Sequence, residues 1–203
     1  GFILSSLNKA LPDATLLGSD IYLEGLNFAD RRLQGKTELF QMDACDIPFY
    51  HAFDVVGAFD VLEHIENDKK ALGEICAAVR PGGGLILTAP QHPFLWSAWD
   101  EINHHKRRYA SGELRKMVKN EGFQILLASS FATLIMPFVF IKRLADRHKR
   151  EMSFSDGAGT NPLVNSACAA VMAVERGLIY SALRFPFGSS SLVIARKPEQ
   201  AHR

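Results

Sequence analysis

Short apolar segments alternate with segments of helical periodicity along the first two thirds of the chain. The apolar segments predict strands at 14–20, 38–43, 53–60, 85–89 and 123–128. The segments between them predict helices at 2–11, 22–33, 66–80 and 111–121. Strands and helices that alternate at this spacing indicate βαβ units. We therefore expect an α/β fold built on a mostly parallel sheet with flanking helices.

The composition excludes several classes of protein. With 23 basic and 22 acidic residues the formal charge is +1, which gives no support to a nucleic-acid partner. The 47% of hydrophobic residues suffices for a core and argues against disorder. Cys45, Cys76 and Cys168 are too few and too far apart for a disulfide scaffold or a CxxC metal site. A reducing, cytoplasmic compartment is the simplest expectation.

An acidic residue ends each of three predicted strands: Asp20, Asp43 and Asp60. Open α/β sheets bind their ligands beyond the carboxyl ends of the strands. A single aspartate in such a place is most often a turn or helix cap, whereas three of them together favour a binding site. Asp20 follows Gly1 by nineteen residues. A carboxylate about 20 residues after a glycine-rich turn is suited to bind both hydroxyls of a ribose.

Five further motifs occur in the order and spacing of a known class of enzyme. They are Leu17–Asp20, Met42–Phe49, Phe53–Val56 with Val61–Ile65, Val79–Gly84 and His105–Tyr109. Each motif is weak alone, but through the ordered set residues 1–130 resemble class I S-adenosylmethionine-dependent methyltransferases. The similarity is to the broad group that includes the ubiquinone and menaquinone biosynthesis enzymes. It implies a Rossmann-like fold with an antiparallel last strand, S-adenosyl-L-methionine as cofactor and S-adenosyl-L-homocysteine as product.

The resemblance also implies which residues bind the cofactor. They are Gly1, Asp20, Ile21, Asp43, Ala44, Phe59 and Asp60. By this resemblance Asp20 would bind the ribose hydroxyls, and Ile21 would pack on the adenine. Asp43 would accept a hydrogen bond from the adenine amino group, while the Ala44 backbone contacts the ring. Phe59 and Asp60 would line the boundary between cofactor and substrate.

The beginning of the chain departs from the family pattern. Gly1 matches the last glycine of the family's GxGxG loop, but the strand and the glycines that precede it in the family are absent from this sequence. In the family that strand is central to the sheet. Without it, the predicted strands 14–20 and 53–60 would have no common neighbour. We therefore expect the sequence to be part of a longer protein.

The chemistry requires mainly that nucleophile, methyl group and sulfur are aligned, because the sulfonium is already activated. His64 is the predicted general base if the acceptor must lose a proton, since its reference pKa is near neutrality. A histidine that only fixes a loop is the alternative. We expect no metal, although Asp60, Glu63 and His64 form a D-x-x-E-H cluster that offers an alternative site for magnesium.

The segment 91–109 follows the strand at 85–89 and is rich in aromatic, histidine and arginine side chains. Its position predicts that it covers the substrate pocket. The predicted substrate contacts are His92, His105, Arg108 and Tyr109. An arginine there would pair with a phosphate or carboxylate of the acceptor. The alternative is a lid whose aromatic side chains only seal the core.

A long segment separates the last two predicted strands, and insertions of this kind are usually functional. We expect a methyltransferase core at 1–130, a helical insertion at 131–186 and a closing strand of the core within 187–203. The insertion contains an apolar run at 131–141, a basic cluster and a second apolar helix at about 163–184. The basic cluster consists of Lys142, Arg143, Arg147, Lys149 and Arg150. The first expectation is a helical cap that packs on the sheet and leaves a solvated basic face. An apolar helix beside such a cluster also fits peripheral attachment of 131–150 to an anionic membrane, and a cap that contacts an apolar substrate lies between the two.

The sequence thus predicts methyl transfer from S-adenosylmethionine to a small-molecule or lipid-linked acceptor, with O-, C- and N-methylation undecided. A methyltransferase-like module that has lost catalysis and serves as a binding partner is one alternative. A nucleotide-binding oxidoreductase is another, because it shares the acid at the end of the strand. The region of Asp43 and the segment Leu62–Ile65 favour the methyltransferase. The oligomeric state is left open.

Overall fold

The computed structural model describes residues 1–138, 140–141, 162–181 and 183–199. The chain divides into two compact units, Gly1–Pro48 and Phe49–Arg203. The insertion predicted at 131–186 is described in part, and its basic cluster lies outside the described residues.

The first unit is a small α/β arrangement that ends in the predicted acids. Its elements are α1 (Phe2–Ala10), β1 (Leu17–Asp20), α2 (Leu23–Leu33) and β2 (Glu38–Gln41). The two strands are parallel, with Leu17 opposite Glu38 and Asp20 opposite Gln41. Asp20 therefore stands at the carboxyl end of its strand, and Asp43 follows the carboxyl end of the neighbouring strand.

The second unit contains a four-stranded sheet whose last strand lies between two earlier ones. Its elements are β3 (Phe53–Phe59), α3 (Asp68–Ala78), β4 (Val79–Pro90), α4 (Ala98–Ile102), α5 (Glu113–Asn120), β5 (Gln124–Phe131), α6 (Pro162–Tyr180) and β6 (Ser190–Arg196). The strand order is β3-β4-β6-β5. β3 and β4 are parallel, whereas β6 is antiparallel to both β4 and β5. The predicted α/β class and the antiparallel last strand are confirmed.

The core of the second unit follows the predicted periodicity of α3 and β4. The α3 residues Leu72 and Ile75 are buried, and so are Leu85 and Leu87 on alternate positions of β4. Asn67 caps the helix, because its side-chain oxygen accepts a hydrogen bond from the Lys70 amide at 3.2 Å. This packing holds the carboxyl ends of β3 and β4 in place.

The glycine-rich segment Pro81–Gly84 differs from its prediction. The predicted helix 66–80 and the predicted strand 85–89 leave this segment as the break between them, but α3 ends at Ala78 and β4 already begins at Val79. A Cβ atom at Gly83 would lie 2.8 Å from the Asp54 carbonyl oxygen, so the backbone of β3 approaches too closely for a side chain. The register between the two strands also shifts here. The glycines therefore serve an irregular strand pairing and not a turn.

The late helix α6 confirms the predicted apolar helix and ends at Tyr180. Most of it is exposed: Leu163 is 78% and Tyr180 82% accessible, while Glu175 is buried. Within the described ranges it is the one helix long and apolar enough to cross a membrane by length and composition, which on its own is weak evidence.

Candidate functional site

Two carboxylates mark the carboxyl ends of the paired strands in the first unit. Asp20 Oδ1 accepts a hydrogen bond from the Tyr22 amide at 2.9 Å, and Asp43 Oδ1 accepts one from the Cys45 amide at 2.8 Å. The Met42 amide donates to the Asp20 carbonyl at 3.1 Å and joins the two strand ends. Both aspartates remain exposed. Each carboxylate therefore shapes a tight turn and stays accessible as an acceptor for a ligand.

The other first-unit residues of the prediction surround these strand ends or begin a helix. Ile21 is 49% exposed directly after Asp20, which offers apolar surface beside the carboxylate. Its carbonyl accepts a hydrogen bond from Gln41 Nε2 at 2.8 Å. Ala44 is half-buried in the turn after β2. Gly1 is the N-cap of α1, and a Cβ atom there would lie 2.8 Å from the Ala29 Cα, so this helix start has no room for a side chain.

The end of β3 in the second unit is held by a reciprocal pair of hydrogen bonds. The Asp60 amide donates to the Thr88 carbonyl at 3.1 Å, and Thr88 Oγ1 donates to Asp60 Oδ1 at 3.2 Å. Asp60 adopts a left-handed backbone with φ of 52°, which aspartate tolerates better than most residues. Phe59 precedes it and is half-buried. The geometry fixes Asp60 at the strand end while leaving it exposed.

The helical turn Leu62–His64 presents two titratable side chains. Glu63 is fully buried, and neither of its carboxylate oxygens has a hydrogen-bond partner among the described residues. Burial raises the pKa of Glu63 to about 8. His64 is exposed, and its pKa is lowered by partial desolvation and by the neighbouring His105. The turn therefore presents a neutral imidazole at the surface beside a carboxyl that is protonated at neutral pH.

Asp100, in the short helix α4, is the centre of a buried polar network in the segment after β4. Its Oδ1 accepts a hydrogen bond from Arg108 Nε at 2.7 Å and lies 3.0 Å from His105 Nδ1. Its Oδ2 accepts from the amide of Ser97 at 2.9 Å. Because an ionised carboxylate only accepts hydrogen bonds, this pairing requires a proton on His105 Nδ1. The second bond of Arg108, to the Gln91 carbonyl at 3.0 Å, fixes the guanidinium in the interior.

Tyr109 is also built into the interior of the second unit. Its hydroxyl donates to Asp68 Oδ2 at 2.9 Å, and Asp68 Oδ1 pairs with Arg107 at 3.0 Å. Burial and the Asp68 hydrogen bond raise the pKa of Tyr109 well above its usual range. Tyr109 and Arg108 are both buried and therefore have a structural role. That they also contact the substrate stays a prediction.

His92 stands beside an apolar groove formed by the loop after β4 and the insertion. The groove has a volume of about 340 Å³ and is lined by Phe94, Thr133, Met136, Pro137, Phe140 and Phe187. The His92 ring packs against two of these residues, Phe94 and Phe187, with centroid distances of 5.1 and 4.4 Å. Its Nε2 is buried and has no hydrogen-bond partner within the described residues. Burial and the nearby Arg108 lower its pKa, which favours the neutral ring.

The cluster of possible metal ligands in the structure differs from the cluster that the sequence predicted. Glu63, His64 and His105 each place one ligand atom within 4.8 Å of the others, whereas Asp60 stands outside this group. Asp100 is a site residue that the sequence did not predict, because a single acidic residue in a segment without helical or strand periodicity does not stand out. The available signal was its spacing, since D-x-x-x-x-H-x-x-R places one acid before both a histidine and an arginine.

The comparisons with known proteins agree with this fold. Residues 1–87 match a family model described as a methyltransferase domain. No curated protein sequence matches the chain significantly. The cyclase SpnF is 20% identical with a TM-score of 0.59, covering 94% of this chain and 69% of that chain. Geranyl diphosphate methyltransferase in complex with S-adenosylmethionine is 11% identical with a TM-score of 0.61, covering 96% and 73%.

Phosphoethanolamine N-methyltransferase 2 of Haemonchus contortus, in complex with S-adenosylmethionine, is 16% identical with a TM-score of 0.61. The match covers 96% of this chain and 46% of that one, so this chain spans less than half of its length. At these identities the structural likeness shows the fold. The predicted resemblance is confirmed: the chain has the Rossmann-like fold of class I S-adenosylmethionine-dependent methyltransferases, and its first 87 residues match a methyltransferase domain.

Proposed function

We propose that the chain binds S-adenosylmethionine and takes part in methyl transfer to a small-molecule or lipid-linked acceptor. The observation that carries the proposal is the match of residues 1–87 to a methyltransferase domain, which includes the exposed acids Asp20 and Asp43 at paired strand ends. Because the sulfonium is already activated, the protein has to bind and align the reactants more than to activate them.

Asp20 is the residue on which the cofactor proposal depends most. Its exposed carboxylate would accept hydrogen bonds from both ribose hydroxyls, and the adjacent Ile21 would cover one face of the adenine. Asp43 would accept from the adenine amino group, with the Ala44 backbone against the ring. The two turns that hold these carboxylates fix their position before a ligand arrives, which limits the ordering cost of binding.

An acceptor hydroxyl or amine would also have to lose a proton. His64 is our first candidate for the general base, and its lowered pKa keeps the ring neutral and able to accept a proton near pH 7. His105 is the second imidazole of this region, with its Nδ1 directed at Asp100. A His64→Gln variant should lower turnover by about 10²-fold or more if it is the base, with cofactor affinity unchanged.

Calorimetric titration with S-adenosylhomocysteine tests the cofactor proposal. Asp20→Asn keeps the turn acceptor but removes the negative charge, so we expect an affinity loss of about 10- to 100-fold. Asp30→Asn is the matched control, because it removes an exposed acid from α2 in the same unit. Equal affinities of the Asp20 and Asp30 variants would contradict the ribose assignment.

Product analysis separates the alternatives. Formation of S-adenosylhomocysteine with a cosubstrate supports the enzyme, whereas tight cofactor binding without turnover supports the inactive binding module. Binding of a nicotinamide dinucleotide in place of S-adenosylmethionine supports the oxidoreductase. The likeness to a cyclase among the structural neighbours illustrates that this fold by itself does not fix the reaction.

The apolar groove beside His92 supports an acceptor with an apolar body. Its lining is almost entirely hydrocarbon and aromatic, and the His92 ring, whose buried Nε2 has no hydrogen-bond partner among the described residues, packs on two of the lining residues. Such a combination suits a molecule with a greasy part and one hydroxyl or carbonyl group. The exposed apolar residues Phe138 and Ile141 continue from the groove along the insertion.

We further propose that the insertion meets an anionic membrane surface, where such an acceptor would reside. The support is the exposed apolar surface of α6 and of Phe138, Phe140 and Ile141, followed in the sequence by five basic residues between Lys142 and Arg150. Each basic residue near an anionic bilayer contributes about 1 kcal/mol. A variant with Gln at 142, 143, 147 and 149 should therefore no longer sediment together with anionic vesicles, and its affinity for the cofactor should be unchanged. Absence of wild-type binding to anionic vesicles at low salt would contradict this proposal.

A further inference from the structure

We propose that Glu63, His64 and His105 form a binding site for one first-row transition-metal dication, with Zn²⁺ as the reference ion. The proposal is argued from ligand chemistry within the second unit and does not rest on the proposed methyl transfer, although a metal bound to His64 would take the place of its role as general base. It also differs from the magnesium alternative of the sequence, since His105 takes the place that Asp60 would have had.

The geometry brings three suitable ligand atoms together. One atom from each residue lies within 4.8 Å of the others. The two imidazole rings are nearly perpendicular, with centroids 4.8 Å apart and an interplanar angle of 86°. Ligand atoms bound to Zn²⁺ at about 2.0–2.2 Å stand about 3.4 Å from one another in a tetrahedral site. Small side-chain rotations would therefore close the cluster around an ion.

Glu63 provides the second, independent observation. It is 0% exposed, and both of its oxygens lack a partner within the part of the chain that the structure describes. A buried carboxyl group whose two oxygens have no hydrogen-bond partner needs an explanation. A dication would supply the missing partner. The carboxylates of Asp60 and Asp100 add negative potential at Glu63, and Arg108 opposes them.

His105 is oriented in the way that metal-binding histidines usually are. Its Nδ1 lies 3.0 Å from Asp100 Oδ1, and that carboxylate is itself held by Arg108 and Ser97. A carboxylate that accepts the proton of one ring nitrogen fixes the tautomer and raises the basicity of the other. The loop thus contains both a candidate ligand and the residue that positions it.

The donor set selects the class of ion. Two imidazoles and one carboxylate suit zinc, cobalt, manganese or iron, whereas magnesium and calcium prefer sites made of oxygen atoms. Three protein ligands leave at least one coordination position for water or another molecule. The exposure of His64 gives an ion a path into the cluster.

The test uses the full chain after treatment with a chelator. Titration with Zn²⁺ should show one equivalent of binding, and Mg²⁺ should bind at least 100-fold more weakly. Co²⁺ should give the visible absorption of a low-coordinate site. Glu63→Gln and His105→Gln should each weaken Zn²⁺ binding by at least tenfold, and Asp100→Asn should weaken it about 10- to 100-fold through the lost orientation of His105.

The matched control is His104→Asn, because His104 is an exposed neighbour outside the cluster and asparagine tolerates its positive φ. This variant should bind Zn²⁺ like the wild type. A nuclear magnetic resonance titration of the unmodified protein avoids any folding defect of the variants: the ring signals of His64 and His105 should shift together at one equivalent. The proposal is overturned if Zn²⁺ shifts other histidines first, if Glu63→Gln binds as the wild type does, or if no ion binds.

Discussion

Two apolar helices of the second unit have opposite surroundings. In α3, Leu72, Ile75 and Cys76 form one stripe that is buried against the sheet. In α6 the apolar residues Leu163 and Val164 are exposed. Apolar residues at helical spacing thus predict that a helix forms, but they do not predict whether its apolar face packs against the rest of the protein.

The two helices also use their acids in opposite ways. Asp68 opens α3 and receives the Tyr109 hydroxyl, which ties the helix to the loop after β4. Glu175 is the buried residue of α6, and its carboxylate accepts hydrogen bonds from the amides of Thr133 and Leu134 at 2.9 Å. A helix held by an acid, with its apolar residues exposed, is suited to an apolar environment outside the unit.

The largest effect is expected where the same substitution is made in both helices. Leu72→Ala in α3 removes a side chain that is 1% exposed, and should lower the free energy of unfolding by about 2–5 kcal/mol. Leu163→Ala in α6 should change it by less than about 0.5 kcal/mol. Urea denaturation followed by circular dichroism measures the free energy of unfolding of both variants. Similar decreases in the two would contradict the conclusion that α3 is buried and α6 is exposed.

A smaller effect is expected at the acid that holds α6. Glu175→Ala leaves two backbone amides without their acceptor and should cost about 1.5–3 kcal/mol. Glu175→Gln keeps one carbonyl oxygen and should cost less. Hydrogen exchange at the Thr133 and Leu134 amides should accelerate in the alanine variant, whereas the exposed neighbour Arg176→Gln leaves it unchanged. Unaltered exchange in Glu175→Ala would show that the acid does not hold this junction.

Each helix contains one cysteine, so the reactivity of the two thiols compares the exposure of α3 and α6 without any substitution. Cys76 lies in α3, where burial raises the pKa of its thiol to about 12, and Cys168 is exposed in α6. The reactive thiolate of Cys76 is therefore about 10⁻⁴ of the total at pH 8 and grows as the pH rises. Iodoacetamide at pH 8 should modify Cys168 at least 100-fold faster, as read by peptide mass spectrometry. Comparable rates would mean that α3 is opened as readily as α6.

The smallest effect concerns what α6 contacts. Leu163→Ser should weaken binding to anionic vesicles about fivefold, because part of one leucine no longer transfers from water, and should leave stability unchanged. Asn165→Ser is the matched polar control on the same helix and should bind like the wild type. Vesicle affinity that is equal in both variants would exclude α6 from the contact and leave the segment before it as the remaining candidate.

Periodicity and strand-end acids were sufficient to predict the order of strands and helices, as Asp20 after β1 and the α3 stripe illustrate. The segment at Pro81–Gly84 escaped this reasoning because glycine and proline mark turns and irregular strands alike, and the choice depends on how closely the Asp54 backbone approaches. The grouping of Glu63 with His105 escaped it too, since it depends on a loop path that no repeat encodes. The burial of Arg108 is likewise set by its partner Asp100, which the sequence did not mark.

The position of β6 has a consequence for how the chain is made. β6 follows β4 and β5 in the sequence and is inserted between them, so the sheet of the second unit has no continuous hydrogen-bonded centre until residues 190–196 leave the ribosome. Until then β4 and β5 each present an unpaired edge, which is a template for wrong pairing with another chain. Pairings between segments so distant in sequence also form slowly. We therefore expect a nascent chain to be most prone to aggregation after β5 and before β6 has been made, which is when a general chaperone would help it most.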